Sequence, residues 1–463
     1  MVDTDISLMA HLMRRAGFGA TQAELKEFVS KSYEEVVDDL LHPERVPDIP
    51  MDVFERYHPS PKGGIARDNW VFLMVNGNGP LREKMALFWH HSFPTGSDKV
   101  AHPLSSKGQI QMFREHGLSD TKTILTELSK DPAMIMWLDN NENLKEEPNE
   151  NYGRELLELF SMGVGNYTED DVKGTTMAFT GWTFLIPFID RKRDGYPTRF
   201  IFKEEEHDNT LKEFLGETGD FNGEDIIEII ARQPATARFI ARRLYDFFVA
   251  DEPAVAAWNE IPPQDPEAID TLVTAYFESE GDIRSMLSVL FNSEFFKNAR
   301  HKVVKSPIEL VVGLSRILGK HQFPGRDFGT LTSAADAMGQ RLLQPLTVEG
   351  WRTGQEWIDG GTLNTRVNFG VEQLADPGIP GVCEIVDQLT SIKESLSADR
   401  FVDTCLEFMG PVIVDEETRE GLLRQAQNGG EFRFDTDTDR QESESRVVRM
   451  LQLIVSTREF QFA

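Results

Sequence analysis

The sequence predicts a mainly α fold: a large multi-helix globular protein with one small β-hairpin inserted near residues 180–206. Three observations predict it. Helix-start signals recur along the chain. Apolar residues follow them at helical spacing. Turn residues between two β-prone runs occur in one region.

The elements follow in order. Thr21 with Glu24, and Ser32 with Glu35, read as capping boxes, in which hydroxyl and carboxylate satisfy first-turn backbone donors reciprocally. Leu81 to Phe93 reads as a helix with Leu81, Met85, Phe88 and Trp89 as its main apolar stripe. His90 lies off that stripe, beside Ala86, Leu87 and Glu83, so this helix is expected to be buried on more than one side. Asp131 before Pro132 places a cap ahead of a proline at the first helical position. Pro148 suits the first turn of a helix running to about Met162, with Gly163 as its stop. Thr168 opens another, its first turn carrying Glu169, Asp170 and Asp171. Trp182 to Ile189 and Thr198 to Phe202 are the β-prone runs, with Asp194-Gly195 and Pro197 as turn residues between them. Phe239, Ile240, Leu244, Phe247 and Phe248 recur at helical spacing, and Ser306-Pro307 with Glu309 combines cap, proline and capping box. Pro253, Pro262, Pro263 and Pro266 mark a boundary. The expected organisation is an N-terminal helical region, 1–255, with the motif cluster and hairpin, and a C-terminal helical region, 256–463, or one continuous domain. Asn428 to Arg446 reads as a loose segment, and the absence of a fixed-period repeat argues against a solenoid.

Composition narrows function. The 463 residues carry 48 Lys and Arg against 77 Asp and Glu, a formal charge of 48 − 77 = −29. Such a chain repels phosphate backbones and anionic lipid, which excludes nucleic acid and a bilayer as expected partners. With 31 Phe and 7 Trp there is ample apolar surface for a core. Cys383 and Cys405 match no metal-ligand spacing and build no disulfide framework. The acidic start, with no apolar stretch behind it, leads to the expectation of a soluble, cytoplasmic protein.

The densest polar cluster runs from Asp139 to Glu158. At 100° per residue, Tyr152, Leu156, Leu159 and Phe160 share a stripe, with Glu150, Arg154 and Glu158 opposite. Glu155 borders the stripe and Asn149 falls on it, where a polar group needs a partner or a ligand. Neighbouring His90 and His91 point about 100° apart and cannot easily share a metal, and the i, i+4 spacing of zincins is missing. His207-Asp208 sits at the exit of the hairpin. These segments offer one polar pocket from His90, Asp139, Asn149, Glu150, Arg154, Glu155, His207 and Asp208. In one reading it is a structural hydrogen-bond network of a non-catalytic partner or scaffold protein. In the other, His90, Asp139, Glu155 and His207 hold a divalent metal ion for hydrolysis or oxidation. Two look-alikes fail. Gly163-Val164-Gly165-Asn166 lacks the Gly-Lys-Ser/Thr ending of a phosphate loop. Asp435 to Asp439 begins like a calcium loop but has Arg440 and Arg446 where Gly and Glu are required, so a solvated loop is expected.

Taken in order, Leu81-Arg82-Glu83-Lys84 with Phe88-Trp89-His90, Asp131-Pro132-Ala133-Met134 with Trp137-Leu138-Asp139-Asn140, and Pro148-Asn149-Glu150-Asn151-Tyr152 with Arg154-Glu155-Leu156 form a pattern. Gly163 to Thr168, Thr180-Gly181-Trp182, His11-Leu12 with Arg14 to Gly19, His207-Asp208, Lys305-Ser306-Pro307, Gly350-Trp351 and Trp357-Ile358 extend it. The chain resembles the bacterial domain-of-unknown-function 1800 family over nearly its whole length. It departs from the family at Ser92, where relatives commonly carry a second histidine, and at Gln344, where many have proline. The resemblance implies no assigned reaction. It implies a possible protein partner of the alkaline-phosphatase-like family often encoded beside relatives, many of which look exported.

Overall fold

A computed structural model describes the chain except residues 1, 51, 58–62, 186–197, 326, 392–395 and 429–435. Helices dominate from Val2–Arg15 to Asp437–Val455, and the strands form two antiparallel two-stranded sheets. The mainly α prediction holds. The local start signals form as chemistry requires: Thr21, Ser32, Thr168 and Ser306 all close capping boxes, and Asp131 caps Met134 ahead of Pro132. One contiguous apolar core runs from Met9 to Phe460. At its centre lies the Pro80–Ser92 helix, buried on every face from Glu83 onward. Trp89 of that helix stacks on Phe93 and donates its indole N–H to the Gly117 carbonyl at 2.9 Å. No helix among the described residues is long and apolar enough to cross a membrane.

The inserted hairpin pairs β1, Trp182–Leu185, with β2, Arg199–Phe202, in the register Trp182 opposite Phe202. Its Asp194-Gly195 turn lies outside the described residues. A second hairpin, β3 at Lys212–Phe214 and β4 at Glu217–Gly219, corrects the expectation that strand is concentrated at 180–206. Leu215 and Gly216 turn it with φ of 48° and 80°, the left-handed pair that a two-residue hairpin turn needs. Three-residue strands are too short to show a period, so the sequence hides them.

The Pro148 helix is also corrected. Its α turns span only Asn151–Glu155, and Leu156–Ser161 continues as a π-helix. The Ser161 hydroxyl donates to the Leu156 carbonyl at 2.5 Å, and the Met162 and Gly163 N–H groups share the Leu157 carbonyl. Gly163, at φ 79°, stops the helix as expected. The loose segment is mostly helix as well. Glu416–Asn428 precedes residues 429–435, and Thr436 closes a capping box with Asp439 to open Asp437–Val455. The Asp-Thr repeat read as a solvated loop thus includes a helix start, because cap residues and loop residues are the same polar types.

Candidate functional site

The candidates from the sequence go to separate partners. His90 is wholly buried, accepts the Leu343 N–H at Nε2 (3.2 Å), and meets Trp70 and Trp351 edge-on. Burial pushes its imidazole down to about 3, so it is neutral. Asp139, with φ 57°, pairs with Lys99 at 2.7 Å. Asn149 accepts the Asn151 N–H and donates its own backbone N–H to Asn143. Glu150 is exposed and pairs with Arg154, which turns both terminal nitrogens onto Glu169. His207 binds the Thr180 carbonyl through Nδ1 at 2.9 Å, and the Asp208 backbone N–H donates to the Thr180 hydroxyl at 2.8 Å. Asp208 also accepts from Thr210 and lies near Lys212, contacts that hold its carboxyl low against burial.

Hence Glu150 with Arg154, and His207 with Asp208, come together as pairs. Among the described residues no group of three or more His, Cys, Asp or Glu could hold a metal ion. Glu155 is half-buried, and no hydrogen bond reaches its carboxylate from the described residues. Burial, with Glu158 and Glu349 nearby and Arg154 opposing them, pushes it up to about 7. Glu158, opposite the apolar stripe, is only partly exposed, because the Tyr167 hydroxyl donates to it at 3.0 Å.

The richer site lies elsewhere, and it draws on other segments of the same sequence pattern. Its hub is Glu309. One oxygen accepts the Ser306 N–H at 2.8 Å, as its capping box requires. The other receives the Lys84 ammonium from the central helix and lies 3.5 Å from Arg15. Burial opposes the charge on Glu309, but Lys84 and Arg15 outweigh it and hold the carboxyl at about 2. Burial in turn draws Lys84 down to about 8. Arg15 is itself buried and donates to the Phe247 and Phe248 carbonyls.

Two recesses flank this hub. The first, open in part to solvent, spans about 620 Å³ and is lined by Arg14, His301, Lys305, Glu309 and Glu459 among others. Lys305 donates to the Phe460 carbonyl at 2.7 Å and sits 4.1 Å above the Phe460 ring. Burial, then Arg14 and Arg366, hold it well below the ordinary lysine range. Nε and Nη2 of Arg14, and Oε2 of Glu459, are buried in this lining with no hydrogen-bond partner among the described residues, as is Nη1 of Arg366 outside it. The His301 ring is buried here beside the Phe462 backbone. The second recess, about 490 Å³, is lined by His91, Asp246, Asp251, Glu309, Trp351 and Trp357 among others. Burial pushes Asp246 up to about 7 and Asp251 up to about 6. Gly350, at φ 102°, lets Trp351 close on the central helix, since a Cβ there would lie 2.5 Å from the His91 carbonyl.

Sequence reasoning missed this site because Glu309 satisfies its local role as a capping residue and gives no sign of a second one. The available signal was cationic residues inside apolar helical patterns: Arg14-Arg15 between Met13 and Ala16, and Lys84 beside Met85.

A family model described as "Protein of unknown function (DUF1800)" matches residues 11–462. No curated protein and no solved structure matches the chain.

Proposed function

The chain belongs to the DUF1800 family of proteins of unknown function, and on that premise we propose that it is a ligand-binding protein whose first recess holds a small anion, a carboxylate or phosphate group. One observation carries the reading: a surplus of buried positive charge. Arg14, Arg15, Lys84, Lys305 and Arg366 gather around Glu309; Glu309 and Glu459 are the side-chain carboxylates in the lining, and Asp251 and Asp246 also act on Arg15. Buried charges are normally matched by partners, and a lone buried donor costs about 1–3 kcal/mol, more when it is charged. The unpaired nitrogens of Arg14, with Lys305 beside them, provide the donors that an anion would complete. That this surplus sits inside a chain of net charge −29 argues against a generally basic composition as its cause.

The test is thermal unfolding of the purified chain in phosphate, citrate and chloride at matched ionic strength. A ligand at 100 times its dissociation constant adds about 2.7 kcal/mol. Phosphate or citrate should raise the midpoint over chloride, and Arg14→Gln should abolish the difference while remaining folded by circular dichroism. Equal midpoints in the three salts, together with native mass spectra showing no bound anion, would assign the cluster to helix locking alone.

A further inference from the structure

The second recess carries a balanced set of hydrogen-bonding groups. His91 is 9% exposed and Gln340 is 2% exposed, and both line it. The Trp351 N–H donates to His91 Nδ1 at 3.3 Å, so the neutral ring carries its proton on Nε2. Gln340 accepts the Ile308 N–H through Oε1 at 2.9 Å, which leaves its amide NH₂ as a donor. Neither donor is matched by a hydrogen bond to another described residue. Besides Glu309, whose oxygens are taken by Ser306, Lys84 and Arg15, two carboxylates share the recess. Asp246 takes the Glu252 N–H on one oxygen, and Asp251 takes the Val304 N–H on one oxygen, each keeping the other. Trp351 and Trp357 form apolar walls. Gly354, at φ 56°, sets this wall close to Asp251: a Cβ there would lie 3.1 Å from the Asp251 carboxyl carbon.

An inorganic ion satisfies donors or acceptors but not both, and it has no use for an indole face. An ammonium group would use the carboxylates and the walls, but it would leave the His91 and Gln340 donors unmatched. A ring bearing several hydroxyls uses all of them: each hydroxyl both donates and accepts, and the ring's C–H face lies on an aromatic plane. We propose that the second recess is a binding site for a neutral, hydroxylated ring, a sugar or cyclic polyol. Glu309 lines both recesses, but Arg14 lines only the first, which keeps the two proposals distinguishable.

Trp351 and Trp357 supply the readout. Titration of the full chain with glucose, N-acetylglucosamine and myo-inositol should give saturable changes in tryptophan fluorescence for at least one of them, confirmed by calorimetry. Gln340→Glu keeps an acceptor for the Ile308 N–H and removes the donor. Asp251→Asn keeps an acceptor for the Val304 N–H and changes the free oxygen. Each should lower the affinity at least tenfold with unchanged circular dichroism, while Arg14→Gln should leave it unaltered. Absence of binding by all three probes overturns the proposal. So does binding of tetramethylammonium in their place, which would make the recess an amine site. Binding that survives both recess variants would place the sugar elsewhere and equally overturn it.

Discussion

At the scale of single residues, Glu309 does two jobs with two oxygens. One closes the capping box of the Pro307–Ile317 helix, and the other neutralises Lys84 and Arg15 in the interior. Removing one partner of a buried ion pair costs about 3–5 kcal/mol, since it strands the other charge, whereas replacing the whole pair by apolar groups is often neutral. Glu309→Gln is therefore expected to lower stability by about that amount in urea unfolding. The double variant Glu309→Gln with Lys84→Met should recover part of the loss, because Lys84 is then no longer a stranded cation. Equal losses in the single and double variants would mean that Arg15 alone needs the carboxylate. The capping role was legible from Ser306-Pro307 and its Glu three residues after the cap, because it is local. The interior role was not, because Lys84 and Arg15 stand 225 and 294 residues away (309 − 84 and 309 − 15). Glu155 shows the reverse case. Its place at the border of an apolar stripe foretold partial burial, but the π turn that follows and the approach of Glu349 lie outside what a helical wheel contains.

At the scale of elements, the same divide separates start signals from packing. Every cap singled out in the sequence formed, because a hydroxyl and a carboxylate three residues apart carry their own geometry. The π-helix at Leu156–Ser161 keeps the apolar pattern of a helix and the β3–β4 strands are too short to show a period, so neither stands out in the sequence, and packing against neighbours also shapes the hairpin. Gly174 is one such contact. In the Glu169–Ala178 helix it allows β3 to approach so closely that a Cβ would sit 2.3 Å from the Glu213 carbonyl oxygen. Two effects compete in Gly174→Ala. Alanine favours the helix by about 1 kcal/mol. The clash meets backbone that can move only by displacing the hairpin, and overpacking of this kind costs about 1–3 kcal/mol. The clash should win, giving a lower melting temperature and faster proteolytic cleavage within 211–220. A stabilised variant with an intact hairpin would show that β3 yields without loss.

At the scale of the whole molecule, charge is distributed against expectation: the chain as a whole carries −29, yet a cluster of cations lies buried within it. The net charge repels itself at neutral pH. The Debye length falls from about 30 Å at 0.01 M salt to about 8 Å at 0.15 M. Sodium chloride over that range should therefore raise the melting temperature at pH 7.5, since the exposed ion pairs it weakens contribute only about 0–1 kcal/mol each. A falling midpoint would mean that those pairs outweigh the repulsion.

Acid response sets two groups of buried residues against each other. His11, His90 and His91 are pushed from 6.5 down to about 3, and His301 to about 4, chiefly by burial. Between those values and 6.5 the folded state binds fewer protons than the unfolded state, so stability is full above 6.5 and is lost as pH falls. Asp131 and Asp246 are raised from 3.8 to about 7, Asp251 to about 6, and Glu155 from 4.5 to about 7, again chiefly by burial. Here the folded state binds more protons, so stability is full at low pH and is lost as pH rises through the folded value. Between about 4.5 and 6, four groups of each kind act together, one proton apiece, and their slopes cancel. Below about 3.8 the raised carboxyls have finished, while His11, His90 and His91 continue and Glu309, held from 4.5 down to about 2, adds a proton of the same sign. Four protons then correspond to about 5 kcal/mol per pH unit. Urea unfolding at intervals of half a pH unit should therefore show a plateau from about 4.5 to 6 and a steep collapse below 4. His91→Gln should reduce the steepness of that collapse by about one proton. A steady decline beginning at 6.5 would show that the buried carboxyls are ionised in the folded state, and that the cationic interior already has its anions.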